Sequence, residues 1–308
     1  MSAKKSTIVR NAQAATLRST FGALERTAPA LGAQLAERLW FSVGRPPSRA
    51  ERGRRAGLAE AGVAFTADAA GAPVRGRVFG DAVAPLATLV HGWGGWWQQL
   101  GAFVPLLLER GYRVVAFDAL AHGDSGAGAL GRRSTTVPEM AESYAAVVDR
   151  FGAPTLTVAH SMGCVSVAWA QREHGIVPER QVLVAPAATT DGMVDTFATA
   201  LGIGPAVRAG LVERFVRRVG RPLEDFDLLP LVEAEQAAGR LAPALIVHDR
   251  ADAVTSADAS ARLAEAWSGS ELLLTDGLGH RRVLRDAGVV AAARRFLDAT
   301  ADRPATRL

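Results

Sequence analysis

Ser161 lies in TLTVAHSMGCVSVAW (155–169), where a β-branched apolar run meets a small, helix-compatible segment. A serine hydroxyl is a weak nucleophile on its own. It becomes effective when a base takes its proton, another group orients that base, and donors await the oxyanion of the attacked carbonyl. The chain offers a candidate for each role. His280, in TDGLGHRRVL, follows the last apolar run in a glycine-rich loop. An imidazole with an ordinary pKa near 6.5 can accept the serine proton and return it to a leaving group. Asp249 and Asp252, in LIVHDRADAVTS, compete as the orienting acid. Asp252 is favoured, 28 residues before His280, a spacing that admits one helix and one strand. The other aspartate could order the turn through its side chain, and Asp191 is a more distant alternative. The expected oxyanion donors are two backbone amides. One is the N–H of Met162, at a helix start where the dipole favours negative charge. The other is the N–H of Trp93 in LVHGWGGWWQQL, whose glycines let the backbone approach a carbonyl. Trp96, Trp97, His160, Phe197 and Phe215 are the candidates for contact with a substrate. His91 and His122 are expected to bond within their own loops, and Cys164 to be a small core residue.

These residues need a frame that brings them together, and the hydrophobic pattern supplies one. Short β-rich runs occur at 62–67, 74–79, 87–90, 112–117, 155–158, 181–185, 244–248 and 271–275. From the third onward most are separated by segments of helical length: 98–110, 137–151, 162–173, 259–267 and 289–297. That alternation predicts a mostly parallel sheet with right-handed crossovers, flanked by helices. The first two runs have no helix between them and should pair as an antiparallel hairpin at one edge. Each candidate chemical residue then falls at a strand end, where open α/β sheets bind ligands.

Two regions stand outside this rhythm. Apolar residues at helical spacing run from Leu17 to Leu39, broken by Pro29, with Thr27 as the expected cap of the second helix. The 55 residues between the runs ending at Ala187 and starting at Pro243 exceed what a crossover needs. They read as an inserted helical cap, with Arg214, Arg217, Arg218 and Arg221 as a solvated face. The expected organisation is therefore an N-terminal helical extension and linker over 1–60, including a polar linker at 44–55. An α/β core over 61–187 and 242–299, a cap over 188–241 and a tail over 300–308 complete it.

Composition narrows the function classes. The 308 residues are 49% hydrophobic and 21% charged, enough for a sizeable core. The net charge of +4 is unevenly placed: residues 1–60 carry +7 and the rest −3. Nucleic acid is thus not the expected partner, whereas the basic extension could touch an anionic membrane surface. The single cysteine gives no disulfide and no thiol cluster for zinc. No signal-like apolar run opens the chain and no run of about 18 apolar residues occurs, so a cytoplasmic protein without a transmembrane helix is expected.

The segment from about residue 62 to 299 resembles the α/β-hydrolase superfamily. HGWGG resembles that family's oxyanion loop, AFDALAHGDSG the loop after the fourth strand, and AHSMG the nucleophile elbow. DRADAVTS and GLGH resemble the acid and histidine loops, and all five occur in the family's order. The resemblance implies an eight-stranded α/β-hydrolase fold with a cap. Ala159 replaces the first glycine of the elbow, a methyl that the site should tolerate, and Thr255-Ser256 replaces the frequent Val-Pro. A serine nucleophile argues against dehalogenase or epoxide hydrolase chemistry. The expected activity is hydrolysis of a carboxylic ester or thioester through an acyl-enzyme, with no cofactor or metal. The acyl group is expected to be small to medium and mainly hydrophobic. A lyase, perhydrolase or acyltransferase on the same residues is the enzymatic alternative. The other is a non-catalytic ligand-binding or signalling protein that uses its basic helices as a partner surface.

Overall fold

The computed structural model describes residues 2–45, 48, 50, 53 and 56–300, with side chains described for 15–45, 48, 50, 53 and 57–299. Residues 301–308 of the expected tail and much of the expected linker lie outside these. The chain divides into two compact units. One, the helical unit, holds the chain up to Ser42 together with Thr189–Phe226; the other, the sheet unit, holds Val43–Ala188 and the chain from Asp227 onward.

The sheet unit contains all eight expected strands: β1 Val63–Ala69, β2 Ala72–Phe79, β3 Leu86–Val90, β4 Arg113–Asp118, β5 Leu156–His160, β6 Arg180–Val184, β7 Ala244–Asp249 and β8 Ser270–Thr275. Their order across the sheet is β1-β2-β4-β3-β5-β6-β7-β8. β1 and β2 form the antiparallel edge hairpin, β2 meets β4 antiparallel, and every later pairing is parallel. β3, β5 and β7 are buried along their whole length, as strands covered by helices on both faces must be. Chain order reverses at β3, which has β4 on one side and β5 on the other, and that reversal opens a crevice at the strands' C-terminal ends.

Numbered along the chain, the helices are α1 Ser2–Thr27, α2 Pro29–Trp40, α3 Ala56–Ala61, α4 Phe103–Glu109, α5 Val137–Phe151, α6 Met162–His174, α7 Thr190–Leu201, α8 Pro205–Val219, α9 Leu228–Ala237, α10 Ala257–Ala266, α11 Gly279–Arg282 and α12 Ala287–Thr300. The apolar core on one side of the sheet gathers Phe103, Val104 and Leu107 of α4 with Val289, Phe296 and Leu297 of α12 against β3, β5 and β7. α5 starts on a capping box in which Thr136 and Glu139 satisfy each other's backbone N–H. Its Tyr144 hydroxyl reaches Thr157 at 2.8 Å, and Thr157 reaches Thr88 at 2.8 Å, so these three buried hydroxyls pair with one another.

The helical unit joins α1 and α2 to α7, α8 and a 3-10 turn at Leu223–Phe226. Its interior holds Phe21, Phe41, Phe215 and Phe226, with the Phe41 and Phe215 rings stacked 5.8 Å apart. Gly32 lets α2 and α8 approach closely, because a Cβ there would lie 2.5 Å from Val207. Charges fasten the helix ends. The Glu25 carboxylate accepts from the N–H groups of Ala206 and Val207 at 2.8 and 3.0 Å, capping the start of α8 from α1. Arg18 donates to the Ala200 carbonyl near the end of α7. Glu37, only 4% exposed, accepts from Arg214 at 2.6 Å and Arg218 at 2.5 Å. Burial alone would raise the Glu37 carboxyl, but Arg218 and Arg214 outweigh it and hold the group below the ordinary carboxylate range.

Several expectations are corrected here. Thr27 does not cap α2: Ala28 occupies the cap position, and the Thr27 hydroxyl donates to Ala23 within α1. Arg214 and Arg218 are more than a solvated face: part-exposed and exposed themselves, they pair with buried Glu37, whereas Arg217 and Arg221 pair at the surface with Glu213 and Asp225. By their contacts the N-terminal helices group with 189–226 in one unit. The part of the expected cap from Asp227 onward groups with the sheet unit instead. α9 belongs to the sheet unit, where it packs on α6 and α10 and its Glu235 is held by Gln171 at 2.9 Å and by Arg240.

Candidate active site

Ser161 sits between β5 and α6 with φ 53° and ψ −121°. A non-glycine residue in that region costs roughly 1–3 kcal/mol and persists only where its surroundings enforce it. They do so here: Ser161 N–H donates to Val184 at 3.0 Å, and its carbonyl accepts from Cys164 at 3.0 Å. Position 163 must be glycine, because a Cβ would meet the His91 and Val90 carbonyls at 2.6 and 2.7 Å. Ala159 is fully buried in β5, in register with Val90 and Leu183, so the extra methyl is accommodated. Cys164 is buried, and that burial pushes its thiol well above the usual range.

The strand ends bring Ser161, His280 and Asp252 together. His280 Nε2 lies 3.1 Å from Ser161 Oγ, and its Nδ1 lies 2.7 Å from Asp252 Oδ2. His280 stands on the short helix α11, and Asp252 in the turn after β7. The Asp252 carboxylate also accepts from the N–H groups of Val254 and Thr255 at 2.7 and 3.2 Å and from the Thr255 hydroxyl at 3.1 Å. Burial would raise this carboxyl, but hydrogen bonds from His248 and His280 and from the backbone hold it well below the ordinary range. An ionised carboxylate of this kind fixes the His280 Nδ1–H and leaves Nε2 to receive a proton from Ser161. Thr255 also reaches His280 Nδ1 at 3.3 Å, and Ser256 caps α10, so the departure from Val-Pro is absorbed as extra hydrogen bonds.

Asp249 has a different setting. Its carboxylate accepts from Ala251, Leu278 and Gly279 N–H and from the Thr275 hydroxyl at 2.8–3.0 Å. It therefore ties the turn after β7 to the loop that carries His280. Burial would raise its carboxyl, yet the Gly279 and Leu278 amides prevail and lower it. Asp191 lies in the helical unit, paired with Arg208. His248 escaped the sequence reading. It is fully buried, with Nδ1 2.6 Å from Ser260 Oγ and Nε2 3.5 Å from Asp252 Oδ2, the oxygen that His280 also approaches. Its one sequence signal is a titratable residue interrupting the apolar run ALIVHD.

The loop after β3 lies against the elbow, since a Cβ on Gly92 would stand 2.8 Å from Ser161 Cβ. Two buried histidines lock it to the loop after β4. His91 pairs through Nδ1 with the Gly92 carbonyl and accepts at Nε2 from Ala119. His122 pairs through Nδ1 with Leu120 and accepts at Nε2 from Gly94. Burial holds them neutral, lowering His91 to about 3, with His122 adding to it, and His122 to about 4. Trp93 turns its ring edge-on to His122, and Met162 is buried at the start of α6.

His160 is buried beside the catalytic candidates. Its Nε2 donates to the His280 carbonyl at 3.0 Å, and the two rings lie 4.7 Å apart. Burial first, then His280, lowers its pKa to about 3. Trp97 is buried against Phe79, and its backbone N–H donates to Asp118 at 2.8 Å. Trp96 is half-buried, and its indole Nε1 is buried with no protein partner. Phe197 and Phe215 lie in the helical unit. Phe197 packs on Trp40, and the Phe215 ring packs on Phe41 and Phe226. Among the described residues no group of three or more His, Cys, Asp or Glu is placed to hold a metal ion, and no helix is long and apolar enough to cross a membrane.

An eight-stranded sheet with a serine at the elbow after β5 defines a class, and family comparison agrees. Residues 89–293 match the model of the Alpha/beta hydrolase family, and the chain belongs to that family. No curated protein matches it significantly. Solved structures similar to it include Est1E from Butyrivibrio proteoclasticus with bound ferulic acid, 20% identical, covering 78% of this chain and 100% of that one, with a TM-score of 0.58. The esterase Pf2001 from Pyrococcus furiosus is 18% identical over 83% of this chain and 99% of its own, with a TM-score of 0.61. A bacterial membrane phospholipase A, described as a virulence factor, is 17% identical over 98% of this chain and 100% of its own, with a TM-score of 0.61. At these identities the likeness is one of fold.

Proposed function

We propose that this α/β-hydrolase cleaves a carboxylic ester or thioester through an acyl-enzyme, with Ser161, His280 and Asp252 as its catalytic residues. The observation that carries the reading is the continuous hydrogen-bonded line from Ser161 Oγ through the His280 imidazole to the Asp252 carboxylate. Ser161 Oγ attacks the acyl carbon as His280 Nε2 takes its proton, and Asp252 holds the imidazolium that forms. The amides of Trp93 and Met162 receive the oxyanion, a role supported by the contact of Gly92 with Ser161. His280 then protonates the departing alcohol or thiol. A water that gives its proton to His280 attacks the acyl carbon, releasing the acid and restoring Ser161. The acyl group is small to medium and mainly hydrophobic, and half-buried Trp96 is the aromatic beside the oxyanion loop available to it.

A fluorophosphonate probe followed by peptide mapping tests the nucleophile: label on Ser161 of the folded protein is expected, and none there sinks the reading. A panel of p-nitrophenyl esters from C2 to C12, with Ser161→Ala as control, then ranks acyl length, with the best turnover expected among the shorter members.

A further inference from the structure

A cavity of about 130 Å³ adjoins the loop after β3 on the sheet unit. Its lining brings Arg45, Arg132 and Arg133 to the turns at Gly94–Gly95 and His122–Gly123, and among the described residues no carboxylate lines it. One buried water needs roughly 10–15 Å³ of such space, so the cavity has room for a polyatomic ligand. The loops around it spend their polar groups on themselves. Gly94 N–H goes to His122, Gly95 N–H to Gly92, Ala121 N–H to Gly126, and the Ser125 hydroxyl to Asp118. His122 has both ring nitrogens engaged and is held neutral by burial. Recognition of a ligand therefore falls to the guanidinium groups. Arg133 is already oriented, donating through both Nε and Nη2 to the Gly44 carbonyl while its own carbonyl accepts from Val43 at 3.0 Å, so its Nη1 and the guanidinium groups of Arg45 and Arg132 are what face a ligand. Planar guanidinium forks match the oxygens of phosphate bidentately, and a cluster of cations with no carboxylate among the described lining residues favours a multiply charged oxoanion.

We propose that this cavity is a phosphate-binding site, taking either free inorganic phosphate or a phosphate group carried by the ligand whose ester reaches Ser161. The second source rests on the hydrolase reading, because one loop touches Ser161 at Gly92 and lines the cavity at Gly94 and Gly95. Isothermal titration of the full chain with inorganic phosphate, against chloride at matched ionic strength, tests the site without reference to hydrolysis. Saturable phosphate binding is expected, at least tenfold weaker in Arg45→Ala/Arg132→Ala and unchanged in Arg262→Ala, an exposed arginine elsewhere on the sheet unit. If the alanine pair unfolds, Arg45→Gln/Arg132→Gln keeps the side-chain bulk and takes its place. Phosphate binding no better than chloride, or equal binding by wild type and the folded double variant, overturns the proposal.

A pair of glycerol monoesters with the same acyl group, with and without a phosphate, separates the two sources. If the phosphate belongs to the substrate, wild type prefers the phosphorylated ester at least tenfold in kcat/KM, and the double variant loses that preference. Equal turnover alongside intact calorimetric binding assigns the site to free phosphate. Turnover of neither ester counts against the hydrolase reading and leaves calorimetry to decide the phosphate site.

Discussion

The sheet unit and the helical unit both join segments far apart in sequence, by different means. In the sheet unit the joining is done by backbone pairing between strands buried on both faces, with side chains filling the layers between. In the helical unit α1 and α2 meet α7 and α8 across more than 140 intervening residues. Ion pairs and charge-to-backbone bonds mark those junctions: Glu25 on the start of α8, Arg18 on the end of α7, Glu37 between two arginines. The proposed chemistry is lodged where geometry is set by the ladder, which fits a reaction intolerant of small misplacements. The helical unit depends more on electrostatics, which salt screens.

The largest expected effect falls wholly on the sheet unit. Ser161→Ala should lower kcat for a p-nitrophenyl ester by at least about 10⁴-fold with no loss of thermal stability. Retained turnover would break the assignment of chemistry to this unit. Asp252→Asn should cost roughly 10⁴-fold in kcat by releasing the imidazole orientation.

Acid should come next, and it too should act on the sheet unit, where all six histidines lie. Folded His91 and His160 titrate near 3 and His122 near 4, against about 6.5 when unfolded. Between pH 6.5 and 4 the unfolded chain binds protons that the folded chain refuses, so stability falls as pH falls through that window. The slope is at most about 1.4 kcal/mol per pH unit for each histidine. Urea midpoints at pH 7.5 and 5.0 measure it, and His122→Asn should shrink the difference by roughly a third. Coincident wild-type midpoints would show these rings to be protonated in the fold.

Salt should separate the units in the opposite sense. Glu37→Ala leaves Arg214 and Arg218 without their carboxylate and should cost roughly 1–3 kcal/mol. Denaturation curves with and without 1 M NaCl should converge on the variant if that cluster is the salt-sensitive element. The smallest effect is expected from Glu25→Ala, about 1 kcal/mol from one lost helix cap, read as a small drop in Tm.

The same contrast explains what could be read from the chain beforehand. The strands announced themselves because each is an apolar run bounded by turns, and the loop residues followed because function gathers at strand ends. Asp249 and Asp252 looked alike in LIVHDRADAVTS because sequence carries their chemistry but not their partners. Only the fold turns one toward His280 and the other toward the amides of the His280 loop. His248 was hidden by its own strand. Thr27 failed as a cap because its hydroxyl had a nearer acceptor one turn back in α1. Arg214 and Arg218 read as solvent-facing because their partner lies some 180 residues earlier, a distance that no helical periodicity spans.

The junction of α1 and α2 with α7 and α8 also has a consequence for biogenesis. The first two helices leave the ribosome long before their partners exist. At roughly 5–20 residues per second, the apolar faces around Phe21 and Phe41 wait on the order of ten to forty seconds for Phe215 and Phe226 to be synthesised. Through that interval the nascent chain carries an unclosed hydrophobic surface on these two helices.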